Sequence, residues 1–460
     1  MHFRQFYLGC LAHASYLMGS GTEAAVVDPQ RDIDIYLEEA SAHGLTIKHV
    51  IETHCHADFI SGHHELAAHT GAKIYFGAQA AAKFAFVAVH EGDEIVMADV
   101  TLRFLETPGH TPESISIVVF DRQRSSTVPE AVLTGDTMFI GDVGRPDLLG
   151  SRMPPTELAR MLYHSLHDKL LALPDDVKVF PAHGAGSMCG RNISSETSST
   201  IGEQRRFNYA LQPMPEEAFI KMMTTDLPEA PSYFSRDAQI NLEGPALLEE
   251  LPDPIAFSPE AVHKMQRGGH LILDTRPASQ YGAGHIRGSL NIALNGQFAS
   301  WAGSLIKPDL PLLLVAEEPE RVREAQTRLA RVGLEKVSGY LKDGVIAWHM
   351  ANLPLPSMEQ ISVEELRQRI DENSVDVILD VRRSKEWEAG HIAEAMSMPL
   401  NHLAESALSL DRDARIAVIC AGGYRSSIAT SLLEQLGFRN ISNVAGGLTA
   451  WNNAKLALAS

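Results

Sequence analysis

The chain is poor in cysteine and in basic residues, and it lacks any long uncharged apolar run. Four cysteines in 460 residues rule out a disulfide scaffold and are typical of a reduced intracellular enzyme. The 39 Lys and Arg are outnumbered by 58 Asp and Glu, which gives a net charge of −19 and argues against a nucleic-acid partner. No segment resembles a membrane helix, and Arg4 and His13 interrupt the apolar N-terminal stretch, unlike a signal peptide. We therefore expect a cytoplasmic protein that binds neither nucleic acid nor membrane.

The second half of the sequence contains an internal repeat. Residues 271–276 read Leu-Ile-Leu-Asp-Thr-Arg, and Ala-Gly-His-Ile comes after them at 283–286. Residues 377–382 read Val-Ile-Leu-Asp-Val-Arg, and the same four residues come after them at 389–392. A period of about 105 residues is the length of a small domain rather than of a solenoid repeat. Within each copy, short β-branched runs alternate with helical patterns, which predicts βα units on a parallel sheet.

Proline and helix-capping patterns indicate the domain boundaries. Seven prolines in residues 212–257 favour a connecting arm that crosses the surface over a packed core, and residues 353–356, Leu-Pro-Leu-Pro, mark a second joint. Ser258 and Ser362 are expected to cap the first helix of each copy. We therefore predict three domains, over residues 1–250, 251–356 and 357–460.

Histidine and aspartate residues terminate several predicted strands in the first half of the chain. Residues 53–58, Thr-His-Cys-His-Ala-Asp, follow a buried-strand pattern, and three later strands end at His110, Asp136 and His183. Counted from His54, the successive separations to His110, Asp136 and His183 are 56, 26 and 47 residues, so these side chains can meet only through the fold. Functional residues concentrate on such loops.

This set of loops resembles the metallo-β-lactamase superfamily, whose αββα sandwich gathers them at one edge of two packed sheets. In two-metal hydrolases of the superfamily, such as the glyoxalase II type, a histidine follows the aspartate and helps to hold the second metal. Phe59 stands at that position here, which weakens a second metal and excludes water from that side. His54, His110 and Asp136 remain, and two imidazoles with one carboxylate form the facial triad suited to non-haem iron.

Residues 53–58 also resemble the persulfide dioxygenase branch of the superfamily, whose iron ligands fall on the same three positions. The resemblance implies one Fe(II) per chain, although a single zinc would accept the same ligands. Three further residues would orient the ligands or bound water from behind: His56, Asp58 and His183.

A cysteine begins a glycine-containing loop in the second copy of the repeat. Residues 420–427 read Cys-Ala-Gly-Gly-Tyr-Arg-Ser-Ser, between a predicted strand and a predicted helix. Such a turn directs backbone N–H groups and the positive helix N-terminus inward, and together with Arg425 these stabilise a thiolate and an anionic persulfide. The residues expected to supply the loop backbone are Ala421, Gly422, Gly423, Tyr424 and Ser426.

This loop, with Leu-Asp-Val-Arg at 379–382, Gly-His-Ile at 390–392 and Gly-Gly-Leu-Thr-Ala-Trp at 446–451, resembles the rhodanese family. The resemblance implies that Cys420 and Arg425 are catalytic. In the first copy the corresponding residues read Ala-Glu-Glu from Ala316, with no thiol and no glycine. Residues 258–352 are therefore predicted to be an inactive rhodanese-like domain kept for packing, docking or interdomain geometry.

The other three cysteines are interpreted separately. Cys10 and Cys55 are expected to be structural, with Cys10 in an N-terminal strand. Cys189 follows His183 by six residues on a glycine-flanked loop that must pass near the metal edge, and it is a candidate second thiol.

The two resemblances cover nearly the whole chain and match fused persulfide dioxygenase–sulfurtransferases of bacterial sulfide detoxification. They imply an α/β protein with an N-terminal αββα metallo-β-lactamase sandwich and two rhodanese-like domains. The implied reaction uses O2 to oxidise a persulfide of glutathione, coenzyme A or a similar thiol to sulfite, thiosulfate or both. A homo-oligomer is also expected. Two alternatives stay open: a glyoxalase II-like dinuclear zinc thioester hydrolase fused to a rhodanese, and a non-catalytic sulfur-carrier platform.

Overall fold

The computed structural model describes residues 1–148, 153–227 and 229–459. The chain forms two compact units: Met1–Leu251 with Ala330–Gly333, and Pro252–Leu329 with Leu334–Ser460. In the described part of the chain, no helix has both the length and the apolar character needed to cross a membrane.

Two six-stranded sheets form the first unit. Their strands are β1 (His2–Leu8), β2 (His13–Ser20), β3 (Glu23–Val27), β4 (Thr46–Ile51), β5 (Lys73–Gly77), β6 (Val87–Val89), β7 (Glu94–Met97), β8 (Val100–Glu106), β9 (Ile115–Asp121), β10 (Ala131–Gly135), β11 (Lys178–Pro181) and β12 (Ser199–Thr200). The helices of this unit are α1 (Asp34–Ala42), α2 (His63–Thr70), α3 (Pro155–His164), α4 (Ile201–Phe207), α5 (Glu216–Thr224) and α6 (Phe234–Glu243). The strand orders are β1-β2-β3-β4-β5-β6 and β12-β11-β10-β9-β8-β7.

The core of the first unit lies between its sheets because successive strand residues point to opposite faces. Met18 and Val119 belong to one buried cluster that joins the two sheets. Their neighbours Leu17 and Val118 point outward, into separate clusters formed with α1 and α2 on one side and with α3 and α5 on the other. The predicted αββα sandwich is therefore confirmed.

The segment that was expected to be a connecting arm is largely a packed part of the first unit. Phe219 of α5 and Phe234 of α6 are buried, and α5 packs against α3. The prolines did not prevent helix formation because they flank the helices; Pro215, for example, occupies the N-cap of α5. The predicted strand position of Cys10 was also wrong, since this residue lies in the turn after β1; its structural role stays a prediction.

The second unit contains two five-stranded sheets. Their strands are β13 (Ile255–Phe257), β14 (Leu271–Asp274), β15 (Leu290–Asn291), β16 (Leu312–Val315), β17 (Val337–Leu341), β18 (Glu359–Ile361), β19 (Val377–Asp380), β20 (Ala395–Ser397), β21 (Ile416–Ile419) and β22 (Ile441–Val444). The helices of this unit are α7 (Pro259–Arg267), α8 (Ala278–Ala283), α9 (Phe298–Leu305), α10 (Pro319–Ala330), α11 (Gly344–Met350), α12 (Val363–Asp371), α13 (Ser384–Glu388), α14 (Leu403–Ser406), α15 (Tyr424–Gln435) and α16 (Gly447–Asn453).

The two sheets of the second unit have the same topology. The strand orders are β13-β17-β16-β14-β15 and β18-β22-β21-β19-β20, and every pairing is parallel. Ser258 and Ser362 cap α7 and α12 with their side chains, as predicted. The duplication inferred from the sequence is thus a duplication of a complete βα sheet.

Candidate functional site

The predicted metal-binding side chains come together at one edge of the first unit. His54, His110, Asp136 and His183 lie on loops that follow β4, β8, β10 and β11, and each is at most 2% exposed. Gly135, just before Asp136, has a φ of +51°, and a Cβ there would lie 2.5 Å from Thr53 Oγ1. Only glycine therefore lets β10 approach the histidine loop this closely.

Three side chains form a group with the geometry of a metal-binding triad. Asp136 Oδ2 lies 3.4 Å from His110 Nε2 and 3.7 Å from His54 Nε2, and the three side chains offer ligand atoms within 4.8 Å of one another. Among the described residues, no N–H or O–H group donates a hydrogen bond to either carboxylate oxygen of Asp136. A buried carboxylate without such bonds is costly unless a cation compensates it. The donor set therefore fits one divalent metal.

Hydrogen bonds behind the triad leave the Nε2 atoms of both histidines free to bind metal. His110 Nδ1 lies 3.0 Å from the carbonyl oxygen of Arg145, which only accepts, so the proton is on Nδ1. His54 Nδ1 lies 3.0 Å from the Thr53 hydroxyl, which donates its own proton to Asp28 and therefore accepts from the ring. Both Nε2 atoms keep a lone pair directed at Asp136.

The pKa shifts of this group follow from its burial. Burial lowers the pKa of His110 to about 4 and that of His54 well below its usual range, so both rings are neutral at physiological pH. Burial also raises the pKa of Asp136 well above its usual range, and the Asp58 carboxylate raises it further. Neutral imidazoles beside a carboxylate that needs compensation favour cation binding.

His56, Asp58 and His183 form a second buried group beside the triad. Their ligand atoms lie within 4.8 Å of one another, and His183 Nε2 is 3.4 Å from Asp58 Oδ2 and 3.6 Å from Asp136 Oδ1. His56 Nε2 instead faces Asp28 Oδ1 at 3.2 Å. Phe59 is fully buried, with its ring centroid 4.5 Å from that of His56. The Asp136 carboxylate thus faces both groups, with Oδ2 toward the triad histidines and Oδ1 toward His183.

The structure also brings Cys189 to this edge. Its thiol, with Asp136 and His183, forms a further group with ligand atoms within 4.8 Å. Burial and the nearby carboxylates of Asp58 and Asp136 raise the pKa of Cys189 well above its usual range. Without a metal, this residue is a protonated thiol and not a nucleophilic thiolate.

Asn241 of α6 was not predicted, and it holds the loop that carries His56 and Asp58. Its Nδ2 donates to the carbonyl oxygens of His56 and Phe59 at 2.8 Å each, and its Oδ1 accepts from Ser61 N–H at 2.9 Å. No local sequence pattern points to this residue, because it lies about 180 positions from the loop, in the segment interpreted as an arm.

Replacement of Asn241 with Ala is expected to lower metal affinity about tenfold, because buried loop groups lose their partners and the loop shifts. Chelator competition would measure this affinity. Ser235→Ala, an exposed change on the same helix, is the control and should leave it unchanged. Equal affinities in the two variants would show that Asn241 has no role in holding the metal loop.

The cysteine of the second rhodanese copy lies at the predicted turn between strand and helix. Cys420 follows β21 and is 1% exposed, and its Sγ accepts a hydrogen bond from Gly423 N–H at 3.1 Å. The Ser426 hydroxyl lies 3.4 Å from the same sulfur. The Cys420 carbonyl oxygen accepts from Leu448 N–H at 2.8 Å. The carbonyl is thus turned toward α16, while the Gly423 N–H group and the Ser426 hydroxyl contact the sulfur.

Arg425 makes a bidentate ion pair that the sequence did not reveal. Its Nη1 and Nη2 each lie 2.7 Å from a carboxylate oxygen of Glu386 on α13. Burial lowers the pKa of Arg425, but the pair with Glu386 more than offsets this effect and the pKa is raised. Arg425 is therefore a permanent cation near Cys420, partly neutralised by Glu386.

The first copy of the repeat retains the frame of the second copy without its thiol. Arg276 Nη2 lies 2.6 Å from Asp274 Oδ2, as Arg382 Nη2 lies 2.7 Å from Asp380 Oδ2 in the second copy. Residues 316–318 connect β16 to α10 at the position of the Cys420 loop, and both glutamates are exposed.

Family models match both halves of the chain. The model "Metallo-beta-lactamase superfamily" matches residues 8–183, and "Rhodanese-like domain" matches residues 258–351 and 362–454. These matches coincide with the sandwich and with the two parallel sheets.

Individual relatives agree with this assignment. The human protein "Persulfide dioxygenase ETHE1, mitochondrial" is 30% identical over 228 residues, which are 48% of this chain and 79% of the relative. A "Beta-lactamase hydrolase-like protein" of Agrobacterium fabrum is 30% identical over 267 residues, 50% of this chain and 56% of the relative. A crystal structure titled as a metallo-beta-lactamase from Staphylococcus aureus is 33% identical, with a TM-score of 0.66, and covers 74% of this chain and 98% of its own. The chain therefore belongs to the metallo-beta-lactamase superfamily and carries two rhodanese-like domains after its metallo-beta-lactamase domain.

Proposed function

We propose that this chain is a non-haem Fe(II) persulfide dioxygenase coupled to a sulfurtransferase. One persulfide, one O2 and one water give the free thiol, sulfite and two protons; the sulfane sulfur loses four electrons and O2 accepts them. The observation that carries the proposal is the triad of His54, His110 and Asp136, in one chain with a rhodanese loop that contains cysteine. Phe59 packs against His56 in the neighbouring group, at the position where two-metal relatives carry a histidine. The named activity of the human relative supports it.

The residues of the first unit have distinct proposed tasks. One Fe(II) held by the triad would supply open positions at which O2 and the persulfide sulfur react. His56, Asp58 and His183 orient the ligands and hold water or protons at the open side. Cys189 contributes a thiol beside Asp136, and its raised pKa favours a role as a proton donor rather than as a nucleophile that accepts sulfur.

Cys420 carries out the proposed sulfur transfer. Sulfite attacks the outer sulfur of a Cys420 persulfide, the bond between the two persulfide sulfurs breaks, and thiosulfate and the Cys420 thiolate form. No net oxidation occurs in this step. The Gly423 N–H group and the start of α15 stabilise the departing thiolate, and Arg425 attracts the anionic substrate.

Substrate and location complete the proposal. A small persulfide of glutathione, coenzyme A or a similar thiol is the proposed substrate, and sulfide detoxification the proposed role. The cysteines of the described residues form no disulfide, which agrees with a reducing compartment, and we propose the cytoplasm. A homo-oligomer stays a prediction.

The alternative is a dinuclear zinc thioester hydrolase of the glyoxalase II type. The observation in its favour is the second buried group, His56, Asp58 and His183, which has the composition of a second metal site. Metal analysis of the purified protein, with oxygen uptake on a persulfide and hydrolysis of a thioester, separates the two. One iron per chain with oxygen uptake supports the dioxygenase, and two zincs with fast hydrolysis refute it.

A graft tests whether the first copy is inactive. Ala316→Cys in a Cys420→Ser background should produce no thiosulfate turnover, because Glu317 and Glu318 oppose a thiolate and the loop has no glycine. The cyanide–thiocyanate assay measures this turnover. Turnover above that of Cys420→Ser alone would show that the loop of the first copy still supports the chemistry.

A further inference from the structure

Helix α15, which begins directly after the Cys420 loop, carries a stripe of polar side chains on one face. The members of the stripe are buried or half-buried and lie three or four residues apart: Tyr424, Ser427, Ser431 and Glu434. Buried polar groups need hydrogen-bond partners. The partners of this stripe lie in residues 285–296 of the first rhodanese copy, which we call the bracing segment.

Residues 424–431 of α15 hydrogen-bond to the end of β15 and to Ala293, two positions after that strand. The Ser427 hydroxyl donates to Asn291 Oδ1 at 2.7 Å, and Asn291 N–H donates to Ser431 Oγ at 3.0 Å. The Tyr424 hydroxyl donates to the carbonyl oxygen of Ala293 at 2.8 Å. Ser427, Ser431, Asn291 and Ala293 are each at most 5% exposed, so water cannot easily replace these bonds.

The last turn of α15 is held by the start of the bracing segment. Glu434 Oε1 lies 3.1 Å from His285 Nε2, and Glu434 Oε2 accepts from Gly288 N–H at 2.9 Å. His285 is fully buried and belongs to the repeated Gly-His-Ile motif. This motif residue of the copy without cysteine thus contacts the helix of the copy that has one.

The bracing segment is itself held rigidly in the first copy. Arg328 of α10 donates to the carbonyl oxygens of Leu294 and Gly296 at 2.5 and 3.0 Å. A Cβ on Gly296 would lie 2.4 Å from a ring carbon of Tyr424, so glycine is required for the ring to pack there. The contact therefore depends on a glycine in the first copy and on the tyrosine ring in the second.

We infer that the first rhodanese copy positions the Cys420 loop of the second copy, with Asn291 as the main positioning residue. The inference rests on the proposed sulfurtransferase role of Cys420. The Gly423 N–H group that contacts the Cys420 sulfur lies at the N-cap of α15, so any shift of this helix changes how well the thiolate is stabilised. The first copy can therefore lack the cysteine and still keep its fold, because that fold supports the site of the second copy.

The chain offers a matched control for Asn291. Asn291 pairs with Asp274 between β14 and β15, and Ser397 pairs with Asp380 at the same register in the second copy. Ser397 is exposed. Ser397→Ala therefore removes a polar side chain from the equivalent strand position away from α15.

The test is the pH profile of Cys420 alkylation by iodoacetamide in the full-length protein, read on the Cys420 peptide by mass spectrometry. In Asn291→Ala and Tyr424→Phe we expect the profile to move upward by about half a pH unit, which makes alkylation about threefold slower at any pH on the rising part of the profile. Ser397→Ala should match the unsubstituted protein. Tyr424→Phe keeps the ring and removes one hydroxyl, so it remains informative if Asn291→Ala folds poorly.

An unchanged alkylation profile in a folded Tyr424→Phe or Asn291→Ala variant, even with a lower unfolding temperature, would overturn the positioning role and leave a merely structural contact. Failure of the proposed function is distinguishable, because it would appear as absent sulfurtransferase turnover in the unsubstituted protein, whatever the alkylation profile.

Discussion

Replacement of His54, His110 or Asp136 with Ala is expected to abolish both bound metal and persulfide-dependent oxygen uptake. Removal of one ligand leaves two protein anchors, too few to hold Fe(II) against solvent. Each deletion also removes the partner of a buried group, since Asp136 Oδ2 faces both histidines. Metal content by plasma mass spectrometry and oxygen uptake by electrode measure the two losses.

Two further histidine variants make this result specific. His90 is exposed, faces Glu106 and belongs to none of the possible metal-binding groups found among the described residues, so His90→Ala should keep full metal and activity. His183→Ala should retain iron with an affinity lowered about tenfold to a hundredfold, because His183 is proposed to orient ligands and not to bind the metal. If His183→Ala instead loses one of two bound zincs, the one-iron assignment is wrong.

Replacement of Cys420 with Ser is expected to stop sulfur transfer while oxygen uptake persists. A hydroxyl has a much higher pKa than a thiol and forms no persulfide, whereas the side-chain volume barely changes. The metal ligands lie in the first unit and are unaffected. Sulfite should therefore accumulate where the unsubstituted protein yields or consumes thiosulfate, and ion chromatography of the products measures this change.

Cys10→Ser is the matched control, since it makes the same atomic change at a cysteine that belongs neither to the metal-binding groups nor to the Cys420 loop. Loss of oxygen uptake in Cys420→Ser with iron still bound would mean that the persulfide reaches the metal through Cys420. Two independent half-reactions would then be the wrong mechanism. If neither oxygen uptake nor product changes, the second rhodanese domain has no part in this reaction.

The architecture could be predicted from the sequence because it is encoded in local patterns. The repeat, the caps at Ser258 and Ser362 and the polar residues at strand ends are each visible within a few positions. His54, His110 and Asp136 could be grouped before any distance was known because their motifs resemble the metallo-β-lactamase superfamily, and the structure brings their ligand atoms within 4.8 Å of one another.

Other features could not be predicted because they depend on contacts between distant segments. Proline content favoured an arm, but prolines at helix boundaries leave the helix interiors free to pack, as α5 does. Asn241 and Glu386 bond to their sites from 182 and 39 residues away. The proton positions on His54 and His110 also depend on neighbours that only the fold supplies.

The most direct test of the proposed function is the ratio of O2 consumed to sulfite formed by Cys420→Ser protein. The protein is first loaded with Fe(II) anaerobically and is then given glutathione persulfide and O2. This variant cannot convert sulfite to thiosulfate through Cys420, so the ratio reports the metal centre alone. The dioxygenase assignment predicts one sulfite per O2, with one iron per chain. Thioester hydrolysis without oxygen consumption, by protein that holds two zincs, would contradict it.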